Sequence, residues 1–224
     1  MCFSPEASFS ASILLSIIGF QTLKQINHPN QILLALIPWF FALQQFCEGL
    51  VWVTIQHEMV HTFLHSFSEI VFLLIAFMIW PIWMPLALGM MEADAARRRW
   101  IWGALSVGIL FLLFNIVAVP GHPLSVHIVG HSLQYCAYVL PSDLYYYITK
   151  VVYLIAVIVP SLASSFPLIW IFGFSVILAS AVADYFYYAT FSSVWCFMSA
   201  LLSIIIYFVM KFNCAQAESK KIKK

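Results

Sequence analysis

Charged residues are scarce in this sequence: Lys, Arg, Asp and Glu make up 8% of the 224 residues, whereas 63% are hydrophobic. A soluble domain could not cover its surface with so few charges, so the composition indicates an integral membrane protein. The formal net charge of +1 provides no basic excess, which argues against a nucleic-acid partner. The lipid bilayer is therefore the first expected partner.

Cysteine is also sparse and dispersed. The five cysteines lie at positions 2, 47, 136, 196 and 214, and no CxxC pair occurs. This spacing excludes a disulfide framework and a zinc finger of the usual kind. A Walker loop, a nucleotide fingerprint and a recognisable Ser-His-Asp signature are absent as well. So is the broken-helix inverted repeat of the common transporters. No familiar enzyme or transporter class is indicated.

Long hydrophobic runs account for most of the chain, and each approaches the ~20 apolar residues that cross about 30 Å of hydrocarbon. The first run follows Glu6 rather than a basic segment, which favours a retained span over a cleaved signal peptide. We predict an all-α integral membrane protein with a single domain. Its seven transmembrane helices are expected over residues of about 7–26, 31–55, 67–91, 100–119, 147–165, 168–189 and 194–212.

The basic residues predict the orientation of this bundle. Three arginines at residues 97–99 lie between spans three and four, and Lys24 lies at the end of span one, where the chain turns to span two. Lys211 lies at the end of span seven, and four further lysines follow it. With seven spans these regions share one side, which the positive-inside rule makes cytoplasmic. We therefore expect the N-terminus outside, a basic cytoplasmic tail over residues 213–224, and location in a bacterial inner (plasma) membrane.

The longest segment outside the spans, residues 121–143, contains His122, His127, His131 and Tyr135. Residues that favour β-structure lie on both sides of a Gly-His pair at 130–131. The pattern predicts a short external β-hairpin that caps the bundle. A re-entrant helix is the alternative.

Glu48 is the only formally charged residue in the second predicted span. A carboxyl group inside a span costs roughly 2.5–3.5 kcal/mol on insertion scales, so Glu48 should face the bundle interior or a wet cavity. Gln44 and Trp52 lie one helical turn to either side of it, and Gln45 lies beside this stripe. The stripe indicates a polar interaction site rather than a lipid-facing surface.

Because spans two, four and six run in the same direction, other polar residues should lie at the same depth in the membrane as Glu48. Asn115 lies near the outer end of span four and Asp184 in the outer third of span six. We predict an outward-facing pocket that contains Glu48 and Asp184 and is roofed by the loop of residues 122–135. The pocket would bind or transport a metal ion or a small polar ligand, with Glu48 as the principal ligand or proton carrier.

Cys2 and Cys196 lie at the outer starts of the first and last spans, which are usually neighbours in a closed bundle. A disulfide is one interpretation, because an extracytoplasmic compartment permits it. Ligation of zinc or copper together with His127 or His131 is a second. Two inert buried thiols are the third.

A competing function comes from His57-Glu58-Met59-Val60-His61, which fits H-E-x-x-H. In that motif two histidines one helical turn apart bind zinc and the glutamate acts as the base of a hydrolase. His65 and Glu69 continue the same spacing, but nothing specifies a third ligand from a separate element. A chance match in a polar turn is the alternative. A further interpretation is a structural subunit, whose polar stripe meets another membrane protein or a second copy.

Four segments carry a family resemblance. They are Met1-Cys2-Phe3-Ser4-Pro5-Glu6-Ala7-Ser8-Phe9, Gln44-Gln45-x-x-Glu48-Gly49-x-x-Trp52, Trp80-Pro81 with Pro85 and Glu92, and Ser192-Ser193-Val194-Trp195-Cys196-Phe197. The sequence resembles an uncharacterised bacterial family of small multi-span membrane proteins, a domain of unknown function whose members open with MCFSxxASF. The resemblance covers most of the chain and implies that Cys2, Glu48 and Cys196 belong to the family pattern. The H-E-x-x-H segment is not part of that pattern, and the family implies no activity.

Overall fold

Helices make up most of the described part of the chain. The computed structural model describes residues 4–118, 124–137 and 143–222. Within these ranges the α-helices are α1 (Pro5–Leu23), α2 (Ile32–Ala35), α3 (Ile37–Gln56), α4 (Phe63–Leu73), α5 (Trp80–Gly89), α6 (Ala95–Ala118), α7 (Asp143–Ala163), α8 (Ile169–Phe186), α9 (Phe191–Leu202) and α10 (Ile204–Ile222). A π-helical segment, Leu74–Ile79, joins α4 to α5, and 3₁₀ turns lie at Pro29–Gln31 and Tyr188–Thr190. The predicted helical class is confirmed, with one small sheet as an addition.

Six helical segments among the described residues are long and apolar enough to cross a membrane. They are Pro5–Leu23, Pro29–Gln56, Phe63–Gly89, Ala95–Ala118, Ile169–Phe186 and Tyr188–Ala215. The apolar part of α7, Tyr147–Ala163, is shorter. The fold is therefore that of a multi-pass membrane protein, and the seventh predicted span stays a prediction.

Local sequence sets the starts of the helices that matter most for the site. The Thr62 hydroxyl accepts a hydrogen bond from the backbone N–H of His65 and so caps α4. The Asp94 carboxylate accepts hydrogen bonds from the N–H groups of Ala96 and Arg97, at 3.0 and 2.8 Å, at the start of α6. Such side chains satisfy the free N–H groups of the first helical turn.

The two strands, β1 (Leu124–Val129) and β2 (Ser132–Ala137), form an antiparallel hairpin. Its two-residue turn is Gly130-His131, and Gly130 has a φ of 61°, in the left-handed region that favours glycine. The predicted hairpin is confirmed, and the re-entrant helix is wrong for these residues.

The hairpin packs against one end of the bundle. Val126 and Leu133 are buried with Val51 and Trp52 of α3 in one apolar cluster. We call this end, with the turn of residues 57–62 and the Tyr188–Thr190 turn, the hairpin end. The hairpin is thus part of the packed structure, while its position outside the cell stays a prediction.

Turns between other helices meet at the opposite end. The Asn30 Nδ2 donates to the Met90 carbonyl at 3.1 Å, and the Ser165 N–H and hydroxyl donate to the Glu92 carboxylate. Further hydrogen bonds at this end join Arg97 to Ala163 and Asn213 to Pro167. These bonds tie together the turns α1–α2, α5–α6 and α7–α8 and the helix α10. We call it the basic end, because residues 97–99 begin α6 there.

Helix α6 approaches the proline-containing α5 very closely. A Cβ atom placed on Gly108 would lie 2.1 Å from the Pro81 carbonyl oxygen. Only a residue without a side chain permits this approach. The contact fixes α5, whose Trp80 reaches the interior site described below.

The segments that contain α3 and α9 are the most enclosed of the candidate spans, and α6 is the least. The main apolar core surrounds them with buried side chains from the other helices. Polar groups on α3 and α9 are therefore held in the middle of the bundle and away from lipid.

Candidate functional site at Glu48

Glu48 lies where α3 meets α9. Its side chain is fully buried. One carboxyl oxygen accepts a hydrogen bond from Gln45 Nε2 at 3.0 Å, and the other accepts one from the Ser193 hydroxyl. Gln45 and Ser193 are also fully buried. A carboxyl group thus joins two enclosed helices through side-chain donors.

The described side chains give Glu48 no positive partner. Within the described ranges the ion pairs are His65 with Glu69 and Lys150 with Asp184. A buried carboxylate without a counter-charge is strongly unfavourable in a membrane interior. Glu48 is therefore either protonated or neutralised by a positive charge that is not among the described side chains.

Gln44 extends the polar group towards α5. Its Oε1 accepts a hydrogen bond from Trp80 Nε1 at 3.2 Å, and its side chain lies beside the Cys196 thiol of α9. All three side chains are buried. The structure therefore brings together Gln44, Gln45, Glu48 and Cys196. Trp80 and Ser193, which complete the group, were not predicted as site residues.

Other buried polar atoms near Glu48 have unused hydrogen-bonding capacity. Among the described residues, Gln45 Oε1 and Trp52 Nε1 have no hydrogen-bond partner, and the same is true of Trp195 Nε1 and Ser199 Oγ on α9. Buried polar groups are normally paired. These atoms give the interior a spare acceptor at Gln45 and spare donors along α3 and α9.

The cavity beside this polar group is small. It is lined mainly by apolar side chains, together with Cys196 and Ser199, and its volume is about 20 Å³. A buried water needs roughly 10–15 Å³, whereas ligand pockets usually measure about 300–1,000 Å³. This cavity, which Glu48 itself does not line, therefore has room for a water molecule or a monatomic ion and not for an organic solute.

Tyr135 packs on the bundle from the hairpin end. Its ring stacks on Phe72 of α4, with centroids 4.5 Å apart and planes 8° apart. Phe72 is buried with Cys47 and Cys196 in one cluster. The hairpin therefore contacts, through Tyr135, the apolar cluster that includes Cys47 and Cys196, and a roof over Glu48 stays a prediction.

A family model described as a family of unknown function, DUF6629, matches residues 1–221. The chain belongs to this family. Comparison with curated proteins and with solved structures gave no significant match. The predicted membership of an uncharacterised family is confirmed, and the DUF6629 family carries no assigned activity from which a function follows.

In the structure of this DUF6629 chain Asp184 has an ionic partner of its own, and its predicted place beside Glu48 stays a prediction. Asp184 forms an ion pair with Lys150 of α7, and the Lys150 ammonium also lies 4.2 Å from the centre of the Phe191 ring. Lys150 is a charged residue inside the fifth predicted span, and the sequence interpretation overlooked it. Its charge gives Asp184 a partner of its own.

The Asn115 side chain forms its hydrogen bond within its own helix. Its side-chain Nδ2 donates to the Phe111 carbonyl at 2.7 Å, one turn earlier in α6. The amide therefore satisfies a carbonyl of its own helix, a common role for polar side chains in apolar helices. The prediction that Asn115 joins the pocket is not supported by its hydrogen bond.

The predicted metal ligands are not gathered in the described part of the DUF6629 chain. Within those ranges no group of three His, Cys, Asp or Glu side chains is placed to hold a metal ion. His127 and His131 are exposed, whereas Cys196 is buried and has a free thiol. Cys2 and His122 lie outside the described residues. The donors around Glu48 are mostly oxygens, which suit zinc and copper less well than thiolates and imidazoles do.

The geometric premise of the zinc hydrolase is wrong. Helix α3 ends at Gln56 and α4 begins at Phe63, so His57 and His61 lie in the turn between them. Glu58 has a φ of 57°, which breaks any helical path through the motif. Two histidines four residues apart share a face only on a continuous helix. The H-E-x-x-H match is a polar, exposed turn.

The outer cavity of the DUF6629 chain does not include Glu48. It measures about 430 Å³ and lies between the hairpin turn and residues 186–190, with His131 in its lining. Among the described residues Glu48 and this cavity are two separate features, and an outward-facing pocket that contains Glu48 stays a prediction. The carboxyl group is deep and enclosed, and the larger cavity is at the surface.

A second buried carboxyl group, Glu92, lies at the basic end. It accepts hydrogen bonds from the Ser165 N–H at 2.6 Å, the Ser165 hydroxyl at 2.7 Å and the Asp94 N–H at 3.0 Å. Burial opposes ionisation, but the hydrogen bonds from Ser165 and Asp94 outweigh it, so the pKa of Glu92 is lowered. Glu92 is an ionised anchor between two turns.

Proposed function

We propose that this DUF6629 protein is a multi-pass membrane protein in which Glu48 binds and releases a proton, or a small monatomic cation in its place. The observation that carries the proposal is a fully buried carboxyl group with no positive partner among the described side chains. Ionisable residues inside a membrane domain are costly and usually mark an ion or proton pathway.

The neighbours of Glu48 can accommodate both protonation states. When Glu48 is ionised, its oxygens accept from Gln45 Nε2 and the Ser193 hydroxyl. When it is protonated, its own O–H needs an acceptor, and the Ser193 oxygen or the unpaired Gln45 Oε1 can take that role. A site with donors that can turn into acceptors suits a group that exchanges protons.

The size and chemistry of the interior narrow the ligand. Glu48 is fully buried and does not line the neighbouring cavity of about 20 Å³, so the described residues leave little room beside it for an organic solute. Carboxyl, amide and hydroxyl oxygens are ligands for hard cations rather than for zinc or copper. Of the metal ions and small polar ligands predicted from the sequence, a proton or a hard monatomic cation fits best.

The proposal includes the predicted topology of seven spans. The 21 residues of α7 would extend about 31 Å, enough to cross the hydrocarbon core. Lys24 and residues 97–99 share the basic end, which supports a cytoplasmic position for it. The N-terminus and the hairpin end would then face outward from a bacterial inner membrane.

Infrared spectroscopy tests the proposal directly. In lipid nanodiscs, the difference between spectra at acid and alkaline pH should contain a protonated-carboxyl band that Glu48→Gln removes. Glu58→Gln is the matched control, because Glu58 is exposed in a turn and its loss should leave that band in place. A spectrum of Glu48→Gln identical to that of the wild type would contradict the proposal.

A cation can be distinguished from a proton in the same preparation. If a monatomic cation replaces the proton, adding lithium, sodium or potassium at constant pH should release protons from the wild type and not from Glu48→Gln. The structural-subunit interpretation predicts a different result. There, Glu48→Gln changes neither titration nor proton release and only weakens co-purification with a partner.

A further inference from the structure

A second buried polar cluster lies between α3 and α4 at the hairpin end. Thr54 Oγ1 is 2.8 Å from His65 Nδ1, and His65 Nε2 is 3.8 Å from a carboxyl oxygen of Glu69. All three side chains are buried, with exposed fractions of 0%, 6% and 7%. We call these residues the α3–α4 relay. Neither the site at Glu48 nor the packing of the two helices requires three hydrogen-bonding side chains here.

The hydrogen bonds of Thr54 favour one nitrogen of His65 as the atom that exchanges a proton. Thr54 Oγ1 also lies 2.9 Å from the carbonyl oxygens of Leu50 and Val51, so its single proton can go to the backbone. Thr54 then accepts from the N–H at Nδ1 of His65. This arrangement leaves Nε2, on the Glu69 side, as the atom that gains or loses a proton.

Glu69 has capacity to receive that proton. Its second carboxyl oxygen, Oε1, is buried and has no hydrogen-bond partner among the described residues. A proton that moves from His65 Nε2 to Glu69 leaves a neutral imidazole and a neutral carboxyl group. The transfer breaks one N–H bond, forms one O–H bond and moves no net electrons.

The relay lies between water and the level of Glu48. His65, in the first turn of α4, is close enough to exposed His61 in the turn of residues 57–62 to interact with it electrostatically. Glu69 and Phe72 share a face of α4, and Phe72 stacks on Tyr135 of the hairpin. Thr54 is six residues from Glu48, which is about 9 Å along α3. A proton cannot cross about 9 Å in one transfer. The buried Tyr135 hydroxyl or a water molecule would therefore carry the proton between the relay and Glu48.

We infer that Thr54, His65 and Glu69 form a proton-exchange site that connects Glu48 with water at the turn of residues 57–62. This inference rests on the proposed function of Glu48. The other titratable groups that face the relay or its route are His61 in the turn, Cys47 and Glu48 on α3, Tyr135 on β2 and Cys196 on α9. His57 and Glu58 lie with His61 in the exposed turn, at the end of the route that meets water.

The exchange of hydrogen for deuterium at Glu48 tests the relay. On transfer of the nanodisc sample from H₂O to D₂O, the protonated Glu48 band should shift at a measurable rate in the wild type. Glu69→Gln and His65→Gln should each slow this shift by roughly tenfold or more, because a required transfer step is lost. Glu58→Gln, an exposed change in the neighbouring turn, should leave the rate unchanged.

The outcomes separate the two hypotheses. If Glu48→Gln removes no band, the proposed function itself is wrong. If the band exists and shifts at the same rate in the wild type, Glu69→Gln and His65→Gln, the relay is wrong and the function of Glu48 stands. Thermal unfolding should show that Glu69→Gln, a nearly isosteric change, folds like the wild type.

A measurement on the wild-type protein tests the relay without relying on variants that could misfold. Nitrogen-15 NMR of labelled histidine should show His65 with its proton on Nδ1 at high pH and a second proton on Nε2 as the pH falls. A His65 ring that keeps one protonation state over the whole range in which the protein is folded would overturn the inference.

Discussion

Glu48 and Glu92 are both buried carboxyl groups, yet their surroundings assign them opposite roles. Glu92 receives two backbone N–H groups and one hydroxyl at the basic end. Glu48 receives an amide and a hydroxyl from side chains in the middle of the bundle. Backbone N–H groups can only donate, and so they hold a carboxylate ionised. Side-chain donors can rotate, and a hydroxyl can accept as well, so they tolerate a change of charge.

The position of each group in the bundle reinforces this difference. Glu92 lies outside the candidate spans and joins the α5–α6 turn to the α7–α8 turn. A charge there is held by hydrogen bonds between two turns and contributes mainly to stability. Glu48 lies inside the segment Pro29–Gln56, where a permanent charge is costly. The comparison therefore separates a structural carboxylate from one that we propose to be functional.

The largest expected effect on stability is at Glu92. Glu92→Gln should lower the free energy of unfolding by about 2 kcal/mol, because hydrogen bonds to a charged group are lost and a buried N–H is left without an acceptor. Glu48→Gln should cost less than about 1 kcal/mol, because an amide resembles the protonated carboxyl group. Denaturant unfolding in detergent micelles measures both, and equal losses would remove the distinction.

The pH dependence of the unfolding free energy should also distinguish Glu92 from Glu48. The folded-state pKa of Glu92 is lowered, so its stabilisation is fully present above the unfolded-state value of about 4.3. It is lost as the pH falls through the lower folded-state pKa. The wild type should therefore lose stability in acid more steeply than Glu92→Gln. Glu58→Gln is the control, because Glu58 is exposed in a turn and its loss should leave this slope as in the wild type.

The features that the sequence predicted well depend on local patterns. The uninterrupted apolar run around Glu48 is enough to predict a membrane helix, and the cost of its charge is enough to place the carboxyl group in the interior. The hairpin follows from Gly130-His131 between two segments that favour β-structure, since glycine tolerates a positive φ. None of these inferences requires knowledge of which helices are neighbours.

The remaining features depend on tertiary contacts that no local pattern specifies. Ser193 is one of many serines in apolar runs, and only the packing of α9 on α3 makes it a partner of Glu48. The H-E-x-x-H interpretation assumed a helix through Glu58, where the chain turns with a positive φ instead. Lys150 is the exception, because a charge inside a predicted span is visible in the sequence and pairs naturally with Asp184.

Ser193→Ala tests whether the side-chain donors control Glu48. Loss of the hydroxyl should destabilise the fold by about 1 kcal/mol and weaken the hydrogen bonding of the carboxyl group. The infrared band of protonated Glu48 should therefore move to higher frequency. Ser192→Ala is a matched control, because Ser192 is less buried and lies one residue away. An unmoved band in Ser193→Ala would show that the hydroxyl does not act on the carboxyl group.

Asp184→Asn should have the smallest effect and tests the separation of the two acidic groups. The Lys150–Asp184 pair is partly exposed on its acidic side, at 36%, and such pairs contribute about 0–1 kcal/mol. Because the Lys150 ammonium keeps its contact with the Phe191 ring, the loss in unfolding free energy should stay within that range. The Glu48 band and its exchange rate in D₂O should be those of the wild type. A shifted band in Asp184→Asn would instead mean that Asp184 and Glu48 share one electrostatic environment, as the sequence predicted, and that Lys150 does not isolate the two carboxyl groups from each other.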